Sequence, residues 1–427
     1  MAVLLLPACR FGFDPVVPVG GDGASGDGPL VSGRVDVTII GKGAVTAPGL
    51  ACDSACAVDA PGPVTLTATA AQGWNLVGMS APCGAQATCT VPPGTAVTAT
   101  FVMAPITANR VFLTSTLAPT TTGVAGLDAF CQARATAGSL PGTFIAFVST
   151  STQDASARLA GSRGWVRMDG LPIIDQVSDL GLDSQPRAVV FDELGAPHEG
   201  EFAVTGSVAS GLRFTGYTCS DWSVSGTTDT GGISDGAGQF LLSGVGASCK
   251  ASVYCFETGK SVPVSLHPPA FPVGRYVFIT TNAFTPGPGG IASADAQCQG
   301  EATAASLPGT YRALLATTTQ SAVDHLGSIA GTWRRPDGIV VTRTSLTQFP
   351  HDATLSVNAA GATRAAFLSA FGATSTTTVG TSAGTCNDWT DPTGTGLAVL
   401  QTFRFPFSGL SPGYGCNSQW PLVCAQL

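Results

Sequence analysis

The sequence predicts an α+β chain in which a small β-rich domain precedes two copies of one domain, each with an early helix and mostly antiparallel strands. Three observations lead there. Twelve of the 13 cysteines fall into three sets of four, and the last two sets share their spacing. Short segments recur in the same order within residues 110–257 and 275–427. Residues 34–103 carry alternating β-branched residues, the period of a half-buried strand. The 54 Gly and 29 Pro among 427 residues favour short strands and turns over long helices.

Residues 1–9 form an apolar run ending in Leu6-Pro7-Ala8-Cys9. It resembles the lipobox of a bacterial lipoprotein signal, which implies that Cys9 is acylated. The run is short and no Lys or Arg precedes it, whereas an export signal has a charged start and a longer apolar core. The expectation is that the true start codon lies upstream. Cys9 is also the one cysteine outside the sets of four. Residues 10–33, rich in Gly, Asp, Pro and Val without a period, read as a flexible linker.

In residues 34–103, Val35, Val37 and Ile39 alternate with polar residues, as do the stretches Val64 to Thr69 and Val97 to Phe101. Gly41-Lys42-Gly43 reads as a hairpin turn. Cys52 with Cys56 and Cys83 with Cys89 form local pairs, each expected to clip a loop between strands. A core this small needs such staples, and Trp74 is expected to anchor it. On these residues the stretch resembles the divergent internalin B-repeat-like domains of bacterial surface proteins. The resemblance implies a β-rich spacer or adhesion-associated domain.

The repeats are tighter. Arg110-Val111-Phe112-Leu113-Thr114-Ser115 recurs as Tyr276-Val277-Phe278-Ile279-Thr280-Thr281, and Cys131-Gln132 as Cys298-Gln299. Leu140-Pro141-Gly142-Thr143 recurs as Leu307-Pro308-Gly309-Thr310. Trp165 with Asp169-Gly170 recurs as Trp333 with Asp337-Gly338, and Cys219-Ser220-Asp221-Trp222 as Cys386-Asn387-Asp388-Trp389. Both copies space their first three cysteines by 88 and 30 positions, and the last interval is 6 in one copy and 8 in the other. Two domains of ordinary size follow, 110–257 and 275–427, joined by a Pro-rich linker at 258–274. Each opens with a strand and a helix that stops at Leu-Pro-Gly-Thr. A second strand comes next, then a long Gly-rich middle and a C-terminal part whose strands hold three of the four cysteines.

Even cysteine sets at repeating intervals point to disulfides and an oxidising compartment. Zinc would need two close pairs or a pair with nearby His. Only Cys52 and Cys56 are that close, and the four His are scattered. A helix cysteine, a final strand cysteine and two more between them suggest nested bridges. The pairs are Cys131–Cys255, Cys219–Cys249, Cys298–Cys424 and Cys386–Cys416, beside Cys52–Cys56 and Cys83–Cys89.

The Val-Phe-x-Thr strand, the Asp-Ala-x-Cys-Gln helix, the Leu-Pro-Gly-Thr stop, the Asp-Gly turn after Trp and the Cys-x-Asp-Trp loop together resemble the C-type-lectin-like fold. More narrowly they resemble a bacterial domain family related to the endostatin domain of collagen. Sugar-binding members hold calcium on Glu-Pro-Asn or Gln-Pro-Asp and Trp-Asn-Asp segments. Here Gln185-Pro186-Arg187 has the wrong third residue, Arg335-Pro336-Asp337 lies early, and Asn387-Asp388-Trp389 has another order. The calcium site therefore does not carry over, and no cofactor is expected. Asp192 and Glu193 are the remaining candidate oxygen ligands, unshared with Asn358-Ala359 of the second copy. Asp221, Trp222, Asp388 and Trp389 form the candidate ligand loop. For these, turn capping and packing over the inner disulfide stand as the plainer roles.

Net charge is −8 and no basic run occurs, which argues against a nucleic-acid partner. No apolar stretch reaches the ~18 residues of a membrane span. His198, His267, His325 and His351 stand in no catalytic motif. The expectation is a non-enzymatic exported protein, lipid-anchored at the outer membrane or cell surface, binding an extracellular glycan or protein. The alternatives are a structural envelope protein without a ligand and, less favoured, a secreted hydrolase.

Overall fold

The computed structural model describes residues 33–119, 121–180, 187–198, 203–208, 210–224, 231–234, 244–246, 249, 251–348, 350–364, 368–401, 411–418 and 420–427. Cys9 and nearly all of the 10–33 linker lie outside these. Among the described residues no helix is long and apolar enough to cross a membrane.

The N-terminal unit comprises β1 (Arg34–Ile40), β2 (Gly43–Ala47), β3 (Leu50–Cys52), β4 (Cys56–Asp59), β5 (Val64–Ala70), β6 (Trp74–Met79), β7 (Thr88–Val91) and β8 (Ala96–Met103). They form two four-stranded sheets, β4-β1-β8-β6 and β3-β2-β5-β7. Val35, Val37, Val45, Leu66, Val91, Val97 and Phe101 point inward from both sheets into one core, as period-2 alternation requires. Gly41-Lys42-Gly43 is not a hairpin turn. β1 and β2 belong to different sheets, so the turn carries the chain across the core. Gly41 has φ +85°, and a side chain there would collide with Phe101 O. Trp74 is half-buried and packs against this core.

The first repeat comprises β9 (Asn109–Leu113), a helix over Gly123–Ala137, β10 (Thr143–Ala146), a short helix over Ala155–Arg158, β11 (Trp165–Val166), β12 (Pro172–Ile174), β13 (Ala203–Val204), β14 (Gly231–Ser234), β15 (Gly244–Gly246) and β16 (Tyr254–Thr258). The second comprises β17 (Arg275–Ile279), a helix over Gly290–Ala304, β18 (Tyr311–Ala313), a helix over Ala322–Leu326, β19 (Trp333–Arg334), β20 (Val340–Thr342), β21 (Leu368–Ala370), β22 (Thr395–Gln401), β23 (Ser411–Gly415) and β24 (Val423–Gln426). Their main sheets have the same order, β10-β16-β9-β11-β12 and β18-β24-β17-β19-β20. Only the β9–β11 and β17–β19 contacts in them are parallel. Each repeat adds a small antiparallel sheet, β13-β14-β15 or β21-β22-β23. The chain is thus α+β with mostly antiparallel sheets.

Each main sheet is covered on both faces, which explains why Val111-Phe112-Leu113 and Val277-Phe278-Ile279 in the opening strands are apolar without alternation. Phe112 faces the helix side with Leu127, Cys131 and Ala135, while Val111 and Leu113 face the opposite cluster around Trp165 and Phe256. Phe278 divides from Val277 and Ile279 in the same way. Burying one such Phe contributes roughly 1.5–3 kcal/mol.

The helix motif has a specific role here. Asp128 and Gln132 accept the amides of Ala146 (2.9 Å) and Phe144 (3.0 Å) on edge strand β10. Asp295 and Gln299 do the same for Ala313 and Tyr311 at 2.9 Å each. Two side chains four residues apart lie on one helix face, and alternate amides of an edge strand need acceptors. Arg158 fixes Asp128 in one copy, and His325 fixes Asp295 in the other.

Six disulfides join Cys52–Cys56, Cys83–Cys89, Cys131–Cys255, Cys219–Cys249, Cys298–Cys424 and Cys386–Cys416. Such a number belongs to an oxidising environment. Three of four cysteines per repeat were expected on strands. Only Cys255 and Cys424 are, within β16 and β24. Cys219 and Cys386 instead open a turn of unusual hand. The 258–274 linker also differs from a solvated spacer: Phe271 is 6% exposed and packs with Ala44, Ala71 and Val340.

Candidate functional site

In the expected ligand loops, four consecutive residues occupy the left-handed region. Cys219, Ser220, Asp221 and Trp222 have φ of 51°, 50°, 55° and 64°, and Cys386, Asn387, Asp388 and Trp389 have 53°, 54°, 52° and 67°. For L-residues this conformation costs roughly 1–2 kcal/mol each. What offsets the cost is visible. Asp221 accepts the Ser151 amide and hydroxyl at 2.6 Å each, and Asp388 accepts those of Thr318 at 2.7 and 2.8 Å. The hydroxyl and amide of Ser151 hold the Asp221 carboxyl below the usual carboxylate range.

The indoles turn inward. Trp222 and Trp389 are both 0% exposed and pack with the inner disulfides, Cys219–Cys249 and Cys386–Cys416. Their Nε1 atoms donate to Ser149 O and Ala316 O at 2.8 Å each. Gly206 and Gly372 lie beneath them, where an added Cβ would meet the indole at 3.1 and 2.6 Å. The candidate ligand loop is corrected accordingly. The tryptophans are core residues unavailable for stacking on a sugar, and the aspartates tie the turn to the strand-end loop.

Asp192 and Glu193 are both buried but serve different donors. Asp192 Oδ1 accepts the amides of Leu194 and Ala196 at 2.8 Å each, and Oδ2 meets His198 Nε2 at 2.8 Å. Glu193 accepts the Ser115 amide (3.1 Å) and hydroxyl (2.5 Å) and pairs with Arg134. The second copy preserves these jobs with other residues. Asn358 Oδ1 caps the amides of Ala360 and Ala362, and Glu301 reaches the Thr281 and Asn282 amides directly. Glu301 stands at the helix position of Arg134, three residues after the cysteine. Calcium needs about six to eight converging oxygens. These carboxylates do not converge, and no metal-type cluster occurs among the described residues.

A second cluster was missed by sequence reasoning. It gathers where the N-terminal unit, the linker and both repeats meet. Arg167 and Arg335, 1% and 2% exposed, stand two residues before the Asp-Gly turns. They clamp Asp169 (Nη2–Oδ2 2.7 Å) and Asp337, respectively. Arg167 Nη1 also donates to His351 O across the repeats at 3.1 Å. Arg187 is 3% exposed. It donates to Gln72 Oε1 (2.5 Å), Pro172 O (3.2 Å) and Leu266 O (3.4 Å), and no ion pair among the described residues neutralises it. Burial, with Arg167 and Arg335 nearby, pushes its pKa down to about 9. Arg343 lies over the Phe271 ring at 4.3 Å and 3.3 Å from Asp352. Asp352 also faces Lys42 at 3.6 Å. Beside these groups is a cavity of about 200 Å³. The signal available in sequence was the Arg two residues before each Asp-Gly.

Comparison with known protein-family models and with curated proteins gave no match.

Proposed function

We propose that the chain is an exported, non-enzymatic binding module. Its two repeats are read as C-type-lectin-like domains of the endostatin-related kind, and its N-terminal unit as an internalin B-repeat-like spacer. Cys9 is read as the lipid-anchored residue that holds it at the outer membrane or cell surface. One observation carries the reading. The repeats share strand order and nested bridges, yet their connecting segments diverge, as Asp192-Glu193 against Asn358-Ala359 illustrates. A constant scaffold with variable loops is the usual arrangement of recognition proteins. The partner class is an extracellular glycan or protein. Recognition is calcium-independent, since the candidate oxygens are occupied by protein donors.

A glycan array and a matrix-protein pull-down, each run with calcium and with chelator, test this. The expected result is a binder that persists in chelator; no binder in either condition overturns the reading. One observation favours a second reading, a structural envelope protein without a ligand. Asp221, Trp222, Asp388 and Trp389 are all used inside the fold.

A further inference from the structure

We propose that the cavity where the N-terminal unit, the linker and the two repeats meet is a binding site for a small organic carboxylate. This is independent of which partner the repeats take. The cavity is about 200 Å³, roughly 13–20 times the ~10–15 Å³ that one water needs. Its apolar wall includes Trp74, Phe271 and Val340, and its charged wall includes Arg187, Arg343 and Lys42.

The charges there do not balance. Asp169 is taken by the two-pronged contact from Arg167. Asp352 is shared between Lys42 and Arg343. Arg187 therefore has no carboxylate of its own, although the whole chain is acidic, at −8. Two buried guanidinium groups, Arg187 through Nε and Arg343 through Nε and Nη1, carry donors with no hydrogen-bond acceptor among the described residues. A buried cation without a counter-ion is costly, and leaving donors unmade adds to that cost. One monoanion would satisfy both.

The chemistry of the wall narrows the anion. A guanidinium presents a planar fork that matches a carboxylate in two-pronged fashion. The apolar wall favours an anion with a hydrocarbon or ring body over a small hydrated oxyanion. Lys42, with 41% of its side chain exposed, stands at the solvent side and can draw the anion in.

The test is calorimetric titration of the full-length protein, extensively dialysed, with benzoate, glucuronate and sulfate. Benzoate or glucuronate is expected to bind one per chain, at least ~10-fold tighter than sulfate. Arg343→Gln, which removes the free donors of that guanidinium while leaving the Arg187 contacts intact, is expected to weaken binding ~10-fold. Arg187→Gln is expected to abolish it. If Arg187→Gln fails to fold, Arg343→Gln decides. Absence of carboxylate binding up to about 10 mM, sulfate binding as tight as either carboxylate, or carboxylate binding unmoved by Arg343→Gln overturns the proposal.

Discussion

Ser220 offers a direct probe of the left-handed turns. It is exposed, with φ 50° and ψ 50°, and no hydrogen bond from its hydroxyl is among those of the turn. At an ordinary exposed position any replacement would change stability by less than ~0.5 kcal/mol. Here the backbone changes that expectation. Glycine removes the clash of Cβ with the carbonyl, worth roughly 1–2 kcal/mol, and adds roughly 0.4–1 kcal/mol of unfolded-chain entropy. The Ser220→Gly variant should thus be more stable by about 0–1.5 kcal/mol. A β-branched residue is a pronounced outlier at positive φ, so Ser220→Val should lose about 1 kcal/mol or more. The spread of about 2 kcal/mol corresponds to a melting difference of roughly 4–8 °C for a domain of this size. Urea unfolding and thermal scans of the intact, oxidised chain would measure it. Equal stability of the glycine and valine variants, within ~0.5 kcal/mol, would refute the left-handed assignment.

Three further outcomes follow from the same geometry. Replacing Cys298 and Cys424, which close 126 positions, should cost about 5 kcal/mol, against about 3.6 kcal/mol for Cys386 and Cys416, which close 30, by loop-closure entropy; denaturant titration with the order reversed would contradict the entropic account. Glu193→Gln leaves half-buried Arg134 without its charge partner and should cost about 1–3 kcal/mol, while calcium should leave the wild-type melting temperature unchanged; a calcium-dependent rise lost in that variant would restore the metal reading. Burial lowers the His351 pKa from 6.5 to about 4. A depressed folded value means that the unfolded chain takes up the proton first, so stability present above pH 6.5 is lost as pH falls toward 4, by roughly 3 kcal/mol in total. His351→Gln should flatten that part of the pH–stability curve, and an unchanged slope would assign it elsewhere.

The duplication, the helices around Cys131 and Cys298, and the four cysteine pairs of the repeats could be read from the chain because spacing is preserved when one unit is duplicated, and the two N-terminal pairs because their cysteines stand close together. The strand alternation of the N-terminal unit was legible for the period-2 reason. Its sheet partners were not: Gly41-Lys42-Gly43 has hairpin chemistry, yet whether a turn returns to the same sheet or crosses the core depends on β8, which inserts parallel beside β1. The Cys-x-Asp-Trp segment could be located but not its hand, since Ser, Asn and Asp in a four-residue stretch also suit ordinary turns. Its left-handed path is imposed by contacts 70 residues away, from Asp221 to Ser151 and Asp388 to Thr318.

Sequence by itself determined the α+β class, the duplication and the oxidising environment, because intervals, periodicity and cysteine usage are local or counted along one dimension. Only the tertiary structure decided which residues are free to meet a ligand. It withdrew Trp222 and Trp389 into the cores and gave Asp192 and Glu193 to protein donors. It also assembled an arginine-rich cluster beside a cavity from segments such as Gln72 and Arg187, 115 positions apart, and Arg167 and His351, 184 apart. Contacts at such separations leave no periodic or spacing signal, and burial, which sets their charge balance, is a property of the assembled surfaces alone.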